Sequence, residues 1–304
     1  MKQLLFKTAT CWSIAICFSF GFMLTSCSSD DEEEEAQQPM VEERPLCQLT
    51  IDEVPLTRAT LTDNDKTLGA AWKEGDKATY MNLSSFSSQN IDYGTLTAAS
   101  SAASSSFTGG VRCQTNNHLM LIYPATDPIL TGTDRGKFTI SLAGQAGTLS
   151  DLATHFHYVY GVATVHSVTG NQAHATMSGM KSLLAACKFT FKDSSNDPIP
   201  VKTLRISYGE GLSAGLPQTY ALATNTDPAQ VYVPANLASA GSPPLTIDLD
   251  AETSDGVYVA LFPIDGQQLF FSVTNSAGTY TGTATAKLKA GKFYPATLTL
   301  TKQP

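Results

Sequence analysis

Alternation of apolar and polar residues dominates the chain from about residue 46 onward. Cys47, Leu49 and Ile51 fall on one side of an extended segment and polar residues fall between them, which predicts a β-strand over residues 46–54. Similar segments recur to the end of the chain, and many are separated by Asn, Asp, Gly and Pro clusters. The same alternation predicts strands over residues 118–123, 158–165, 186–192, 202–208, 257–262, 269–274, 281–288 and 293–301.

Helical periodicity is weak along the whole sequence. It predicts one or two turns around residues 149–155 and 180–185, and residues 82–110, rich in Ser, Ala and Thr, are interpreted as loop and weak strand. Many short strands separated by turns predict an all-β fold of sandwich type. The connector near residues 180–186 predicts a boundary between an N-terminal domain over residues 46–185 and a C-terminal domain over residues 186–304.

The N-terminus follows a different pattern. Lys2 and Lys7 accompany a mostly apolar run of about seventeen residues, and the small residues of Leu24–Cys27 close it. These features predict a secretory signal peptide over residues 1–26; a transmembrane anchor is the alternative for an apolar run of this length. The arrangement resembles a bacterial lipobox, which implies cleavage before Cys27 and attachment of acyl chains such as palmitate to that residue.

Residues 27–45 form an acidic linker. The run Asp30–Glu35 is fully acidic and predicts a solvated, extended segment. Directly after a lipidated cysteine, it also resembles the signals that export lipoproteins to the outer face of the outer membrane. That resemblance implies a partner in the lipoprotein export machinery.

Charge is concentrated in the same region. The chain has 27 acidic and 19 basic residues and a net charge of −8. Ten of the acidic residues lie between Cys27 and Arg58, so the part from Ala59 onward carries a net charge of only about −2. The predicted folded part therefore offers no basic surface for nucleic acid, and nucleic-acid binding is not expected.

Candidate catalytic chemistry is scarce. The sequence contains no zinc-protease, nucleophile-elbow or phosphate-loop motif, so we expect no enzyme and no cofactor. His155 and His157, with Asp151 nearby, were the one cluster of interest, because alternation would place both imidazoles on one strand face. No third ligand is positioned by the sequence, so no metal site is assigned.

The cysteine count argues against a disulfide framework. With Cys11 and Cys17 in the signal and Cys27 lipidated, Cys47, Cys113 and Cys187 remain, which is an odd number. Cys113 and Cys187 could pair if Cys47 were removed by processing, and the sequence leaves open whether they approach each other.

Four motifs, taken in order, suggest a family. The chain resembles the fimbrillin superfamily, the subunits of type V pili, in Thr57–Leu61, Trp72–Asp76, Met177–Ala185 before a Lys-Phe-Thr-Phe strand, and Leu288–Tyr294. The resemblance covers most of the mature chain. It implies two transthyretin-like β-sandwich domains in tandem and a route to the surface as a lipoprotein of the cell outer membrane.

The resemblance also implies an assembly mechanism. A trypsin-like, arginine-specific protease cuts the subunit, removing the lipid and the first strand together, and a strand from another pilin subunit fills the groove in a fimbrium. In this sequence the matching bond lies between Arg58 and Ala59, so residues 46–58 would be the removable strand. Pro55 ends strand pairing just before this bond, whereas Pro45 blocks the competing site at Arg44.

Three hypotheses remain at this stage, of which a secreted hydrolase is disfavoured because no motif supports it. The first is a structural pilus subunit, of the stalk or the tip, assembled by donor-strand exchange. The second is a lipid-retained surface adhesin, a glycan-binding lipoprotein or a pilus anchor, with a host or bacterial surface ligand as partner. Only about ten residues follow Tyr294, which favours a subunit that accepts a strand without donating one.

Overall fold

The computed structural model describes residues 44–55, 60–63, 68–85, 90–132, 135–209, 211–212, 214–216, 219–224, 231–232 and 243–304. Within these ranges the chain consists almost entirely of β-strands, which confirms the all-β prediction. One short helix, α1 (Leu149–His155), lies where a helical turn was predicted. Its N-terminus is capped by Thr148, whose hydroxyl accepts a hydrogen bond of 3.1 Å from the Asp151 amide.

The strands before residue 185 share one main sheet and two small ones. They are β1 (Leu46–Pro55), β2 (Thr60–Asp63), β3 (Leu68–Ala71), β4 (Lys77–Asn82), β5 (Tyr93–Ala98), β6 (Ser104–Arg112), β7 (His118–Tyr123), β8 (Phe138–Ser141), β9 (Val159–Thr169), β10 (Gln172–Met177) and β11 (Lys181–Ser182).

The main sheet closes on itself. Its strand order is β10-β1-β6-β5-β4-β7-β9, and β9 pairs again with β10, so seven strands form a ring to which β11 adds at β9. Closure leaves no strand of the ring with an unpaired edge. The ring differs from the open two-sheet arrangement of a transthyretin-like sandwich, and the assignment of tandem sandwiches stays a prediction.

The strands from residue 185 onward form further sheets. They are β12 (Ala185–Lys192), β13 (Val201–Tyr208), β14 (Ala214–Gly215), β15 (Thr219–Thr224), β16 (Val231–Tyr232), β17 (Leu245–Thr253), β18 (Val257–Leu261), β19 (Ile264–Asn275), β20 (Gly278–Leu288), β21 (Phe293–Thr299) and β22 (Thr301–Lys302).

The two halves of the chain repeat one feature of topology. In the first half, β1 pairs in parallel with β10 and antiparallel with β6. In the second half, β12 pairs in parallel with β21 and antiparallel with β18. In each half, therefore, an early strand lies between a late parallel partner and an antiparallel one.

Two apolar clusters form the core of the described residues. One fills the ring and contains the buried side of β1 together with Trp72 and Phe107. The larger cluster joins Met81 and Met120, from strands of the ring, to Phe189 and other residues beyond position 185. β8 also pairs with β15, so the two halves of the sequence share both apolar contacts and backbone pairing.

The helical turn predicted around residues 180–185 is wrong. The segment contains β11 and the first residue of β12. Met180 packs into the ring cluster, whereas Leu183 and Leu184 pack into the larger cluster. The apolar spacing at 180, 183 and 184 imitates a helix because this connector sends side chains into two different cores.

Residues 82–110 contain more regular structure than the sequence indicated. The end of β4, all of β5 and most of β6 lie in this stretch. Gly109 explains part of the weak signal, because a Cβ atom there would lie 2.8 Å from the carbonyl oxygen of Thr95. Close approach of two strands therefore excludes a side chain at a position where alternation would have revealed the strand.

No helix among the described residues is long and apolar enough to cross a membrane. The predicted signal peptide at residues 1–26 and nearly all of the acidic linker lie outside the described ranges.

The close approach at Gly109 predicts the effect of adding one methyl group. We expect Gly109→Ala to lower the free energy of unfolding by about 1–3 kcal/mol, because the Thr95 backbone cannot move aside freely. Gly110→Ala is the matched control, since the nearest atom to its Cβ is a side-chain carbon of Leu46 at 3.6 Å. Urea unfolding measures both variants, and equal stabilities would contradict the packing described here.

Candidate functional site

β1 is the strand that the sequence analysis predicts to be removable. It is one of the seven strands of the ring and is paired on both sides, with β6 and with β10. Its antiparallel register with β6 pairs Leu46 with Arg112 and Ile51 with Phe107. Its parallel register with β10 pairs Gln48 with Gln172 and Asp52 with Thr176. Removing β1 would thus leave two strands with unpaired backbone donors and acceptors facing one gap.

One side of β1 is fully buried. Cys47, Leu49, Ile51 and Val54 are each at most 1% exposed, and all belong to the ring cluster. Gln48 and Asp52 on the other side are exposed. The slot that β1 occupies therefore combines backbone hydrogen bonding with a row of apolar pockets. This is the combination that proteins use to bind an extended peptide as an added strand.

A β-bulge interrupts the strand near its end. The register with β6 shifts between Ile51 and Val54, and Glu53 adopts a left-handed backbone with φ of 47°. The apolar positions of β1 are consequently spaced by two, two and three residues, which departs from the strict alternation predicted from the sequence. The bulge turns Val54 back into the core.

Trp72 fixes the residue that follows the bulge. Its indole Nε1 donates a hydrogen bond of 3.0 Å to the carbonyl oxygen of Val54. The indole is 1% exposed and makes edge contacts with Phe107 and Tyr123, at centroid distances of 4.7 and 5.3 Å. The motif Trp72–Asp76, which the sequence analysis connected with a family, thus holds the end of β1 in place.

Several charged side chains lie around the beginning of β1. The Arg44 guanidinium donates a hydrogen bond of 3.1 Å to the Ser84 carbonyl oxygen, and Arg112 donates one of 3.2 Å to the Arg44 carbonyl oxygen. Burial raises the pKa of the nearby Asp92 carboxyl, while the positive charges of Arg112 and Arg44 act to lower it. Arg44, the competing cleavage site, is therefore held against the ring.

The predicted modification and cleavage residues are not among those that the structure describes. Cys27, Arg58 and Ala59 lie outside the described ranges, so their roles stay predictions. The described part ends β1 at Pro55, three residues before Arg58.

The candidate metal pair does not form. His155 is the last residue of α1, and its Nδ1 lies 2.9 Å from a carboxylate oxygen of Asp151 on the same helix. His157 is buried, and its Nε2 lies 3.2 Å from the Ser182 hydroxyl. The idea that both imidazoles share a strand face is wrong, because the helix ends between them. In the described part of the chain, no group of three His, Cys, Asp or Glu side chains could hold a metal ion.

The three described cysteines are free and buried. Cys113 lies in the ring cluster and Cys187 in the larger one, and no disulfide joins them. The sequence analysis missed that Cys47 is the neighbour of Cys113, because the register that brings them together depends on pairing across more than sixty residues.

Comparison with solved structures gives matches at low identity and with TM-scores below 0.5. The chain is similar to a candidate cell adhesion protein of Bacteroides ovatus, with 14% identity, 86% of this chain and 97% of that chain covered, and a TM-score of 0.49. It is also similar to one of Bacteroides uniformis, with 15% identity, coverage of 86% and 94%, and a TM-score of 0.49. A streptococcal ancillary pilin gives 10% identity, coverage of 86% and 70%, and a TM-score of 0.30.

No protein-family model matches the chain, and no curated protein matches it.

The left-handed backbone at Glu53 predicts a gain in stability on substitution by glycine. A non-glycine residue in this conformation costs about 1–2 kcal/mol, and the added entropy of glycine in the unfolded chain offsets about 0.5–1 kcal/mol of the gain. We expect Glu53→Gly to raise the free energy of unfolding by about 0.5–1 kcal/mol. The neighbouring Asp52→Gly is the control and should lower it by a similar amount; a loss of stability in both variants, measured by thermal unfolding, would argue against the bulge.

Proposed function

We propose that this chain is a structural subunit of a cell-surface pilus that is assembled by exchange of its first strand. The observation that carries the proposal is the position of β1: an N-terminal strand, paired on both sides, with its apolar side buried in the ring. Such a strand completes the fold, yet the segment that contains Arg58 is its covalent connection to all the strands that follow it. Cleavage there would turn β1 into a replaceable part.

In the proposed pathway the subunit reaches the outer membrane as a lipoprotein acylated at Cys27. A trypsin-like protease cuts between Arg58 and Ala59, and the lipid leaves together with β1. A strand from another subunit enters the slot between β6 and β10 as β1 leaves it. The finer architecture, two transthyretin-like sandwiches in tandem, belongs to the same proposal and is supported by the repeated pairing of β1 and β12.

The local structure supports cleavage after Arg58 over cleavage after Arg44. Proteases need an extended, accessible segment. Arg44 is hydrogen-bonded to Ser84 and Arg112, and its carbonyl is engaged. Within the described residues β1 ends at Pro55, three residues before Arg58, and a proline has no amide hydrogen with which to continue the pairing.

Substitution of the predicted cleavage residue tests the maturation step. Arg58→Ala should leave residues 27–58 and the lipid on the protein after treatment with a trypsin-like protease, because the bond is no longer a substrate. Arg44→Ala is the control and should still be cut. Intact mass and N-terminal sequencing measure the outcome, and an N-terminus at Ala59 in the Arg58→Ala variant would contradict the proposed maturation.

The slot itself can be tested with a strand supplied in trans. A synthetic peptide with the sequence of β1, added in excess to the cleaved full chain, should exchange with the resident strand. Leu49→Asp in the peptide should weaken binding about a hundredfold or more, because it buries an unpaired carboxylate at a cost of about 3 kcal/mol or more. The matched control is Gln48→Asp, which places the same charge on the exposed side of β1.

Fluorescence of a labelled peptide measures this exchange. Equal binding of the two substituted peptides would show that the pockets on the buried side do not select the incoming strand, and would contradict strand exchange at this slot.

A further inference from the structure

Two thiols lie together inside the β1 slot. Cys47 belongs to β1 and is 1% exposed, and Cys113 follows β6 and is 0% exposed. Both belong to the ring cluster, whereas Cys187 lies in the larger cluster. One thiol is therefore carried by the strand that the proposed function removes, and the other by the part of the chain that stays.

Strand register brings the two thiols onto the same side of the sheet. Cys47 pairs with Val111, and the Cys113 amide donates a hydrogen bond of 3.3 Å to the Pro45 carbonyl oxygen. Cys47 and Cys113 are thus diagonal neighbours in an antiparallel pair. The Cys47 sulfur lies 4.0 Å from the Cys113 carbonyl oxygen. The side chain of Cys47 is directed towards Cys113.

The environment protects the pair once β1 is in place. The pKa of the Cys113 thiol is raised to about 12, chiefly by burial and to a smaller extent by the charge and hydrogen bonding of the neighbouring Cys47 thiol. Thiol–disulfide exchange requires a thiolate that an oxidant can reach. While β1 is in its slot, the Cys113 thiol stays protonated and an oxidant cannot reach either sulfur. Any reaction of these cysteines therefore takes place before β1 closes the ring.

We propose that Cys47 and Cys113 form a disulfide that fastens β1 in its slot. Diagonal neighbours have Cα atoms about 7–8 Å apart, and a disulfide needs about 4.4–6.8 Å, so the two strand ends must approach by about 1 Å. The oxidant is a disulfide of a protein or small molecule. One cysteine forms a mixed disulfide with it and releases a thiol, and the thiolate of the other cysteine then displaces the second thiol. Two protein thiols are oxidised and one oxidant disulfide is reduced to two thiols.

The consequence for assembly rests on the proposed function. In a bridged chain, cleavage after Arg58 would cut the backbone while β1 stayed covalently attached through Cys113. Lipid on Cys27 would stay attached with it, and the slot would remain filled. The state of the Cys47–Cys113 pair thus decides whether a cleaved subunit leaves the membrane and accepts a strand or stays as a lipid-held anchor.

Disulfide mapping of the full chain tests the bond without reference to cleavage. The protein is unfolded, reduced and refolded with oxidised glutathione, and free thiols are then alkylated under denaturing conditions. We expect a bridged peptide pair containing Cys47 and Cys113, 2 Da lighter than its reduced form, while Cys187 is alkylated. Folded protein, judged by circular dichroism, that carries alkyl groups on both Cys47 and Cys113 would overturn the proposal, as would pairing of Cys113 with Cys187.

Two variants give the matched comparison. Cys47→Ser should abolish the bridged peptide, and Cys187→Ser, an equally buried position in the other cluster, should leave it intact. If Cys47→Ser fails to fold, mapping of the unsubstituted chain still decides the question.

Peptide uptake then tests the locking effect. Bridged and reduced chains are both cleaved with trypsin, cleavage is verified by mass, and the labelled β1 peptide is added. The reduced chain should take up at least tenfold more peptide than the bridged chain. Equal peptide uptake by the two cleaved preparations, bridged and reduced, would overturn the proposal that the disulfide holds β1 in its slot. Absence of cleavage after Arg58 in either preparation would instead contradict the proposed function and leave the mapped disulfide standing.

Discussion

The pairing of β1 on both of its sides is the constraint on which the ring depends. Four side chains of β1 are buried, and burying one apolar side chain of this size contributes about 1.5–3 kcal/mol. Together they contribute an amount comparable with the whole net stability of a typical domain, about 5–15 kcal/mol. A ring without β1 therefore does not stay folded as it is, and a cut in the backbone after β1 is not sufficient to remove it. In the proposed exchange, loss of β1 and arrival of a replacement strand must therefore be coupled.

In the proposed exchange, the bulge and Trp72 would give the slot its specificity for an incoming strand. A strand with strict alternation would fill the pockets of Cys47, Leu49 and Ile51. Its next apolar side chain would then come two residues later, whereas the bulge places Val54 three residues after Ile51. The indole of Trp72 presents a buried donor at this point, which must find a carbonyl oxygen in whichever strand is bound. The end of the slot thus selects a backbone shape as well as side chains.

Prediction from the sequence succeeded where one side of a strand is apolar and failed where packing required small residues. β1 and β7 were recognised because their buried residues alternate or form an apolar run. β6, which pairs with β1, was not, because Ser105 and Gly109 fill its buried and close-packed positions. Periodicity also predicted a helix at residues 180–185 that does not form, because successive apolar side chains of this connector pack into two different clusters.

The candidate site divides in the same manner. Cys27, Arg58 and Ala59 come from local motifs, which a sequence carries directly. The neighbourhood of Cys47 and Cys113 and the hydrogen bond from Trp72 to Val54 depend on which strands pair and in which register. The register between distant strands depends on the pairing of the whole ring, so it cannot be predicted from the local pattern of apolar and polar residues.

The two ends of β1 are held unequally, and this would determine where the proposed exchange begins. The beginning is fixed by hydrogen bonds around Arg44 and by the amide of Cys113 on Pro45, in addition to the regular ladder. At the other end, the ladder with β6 is already interrupted at the bulge, and Pro55 has no amide hydrogen to donate. In the proposed exchange, an incoming strand would therefore meet an interrupted ladder near Val54, where the Trp72 indole also binds the Val54 carbonyl oxygen, and a continuous ladder with added hydrogen bonds near Cys47. A covalent link from Cys47 to Cys113 would act at the end that separates last, where a single bond is enough to keep the outgoing strand from leaving.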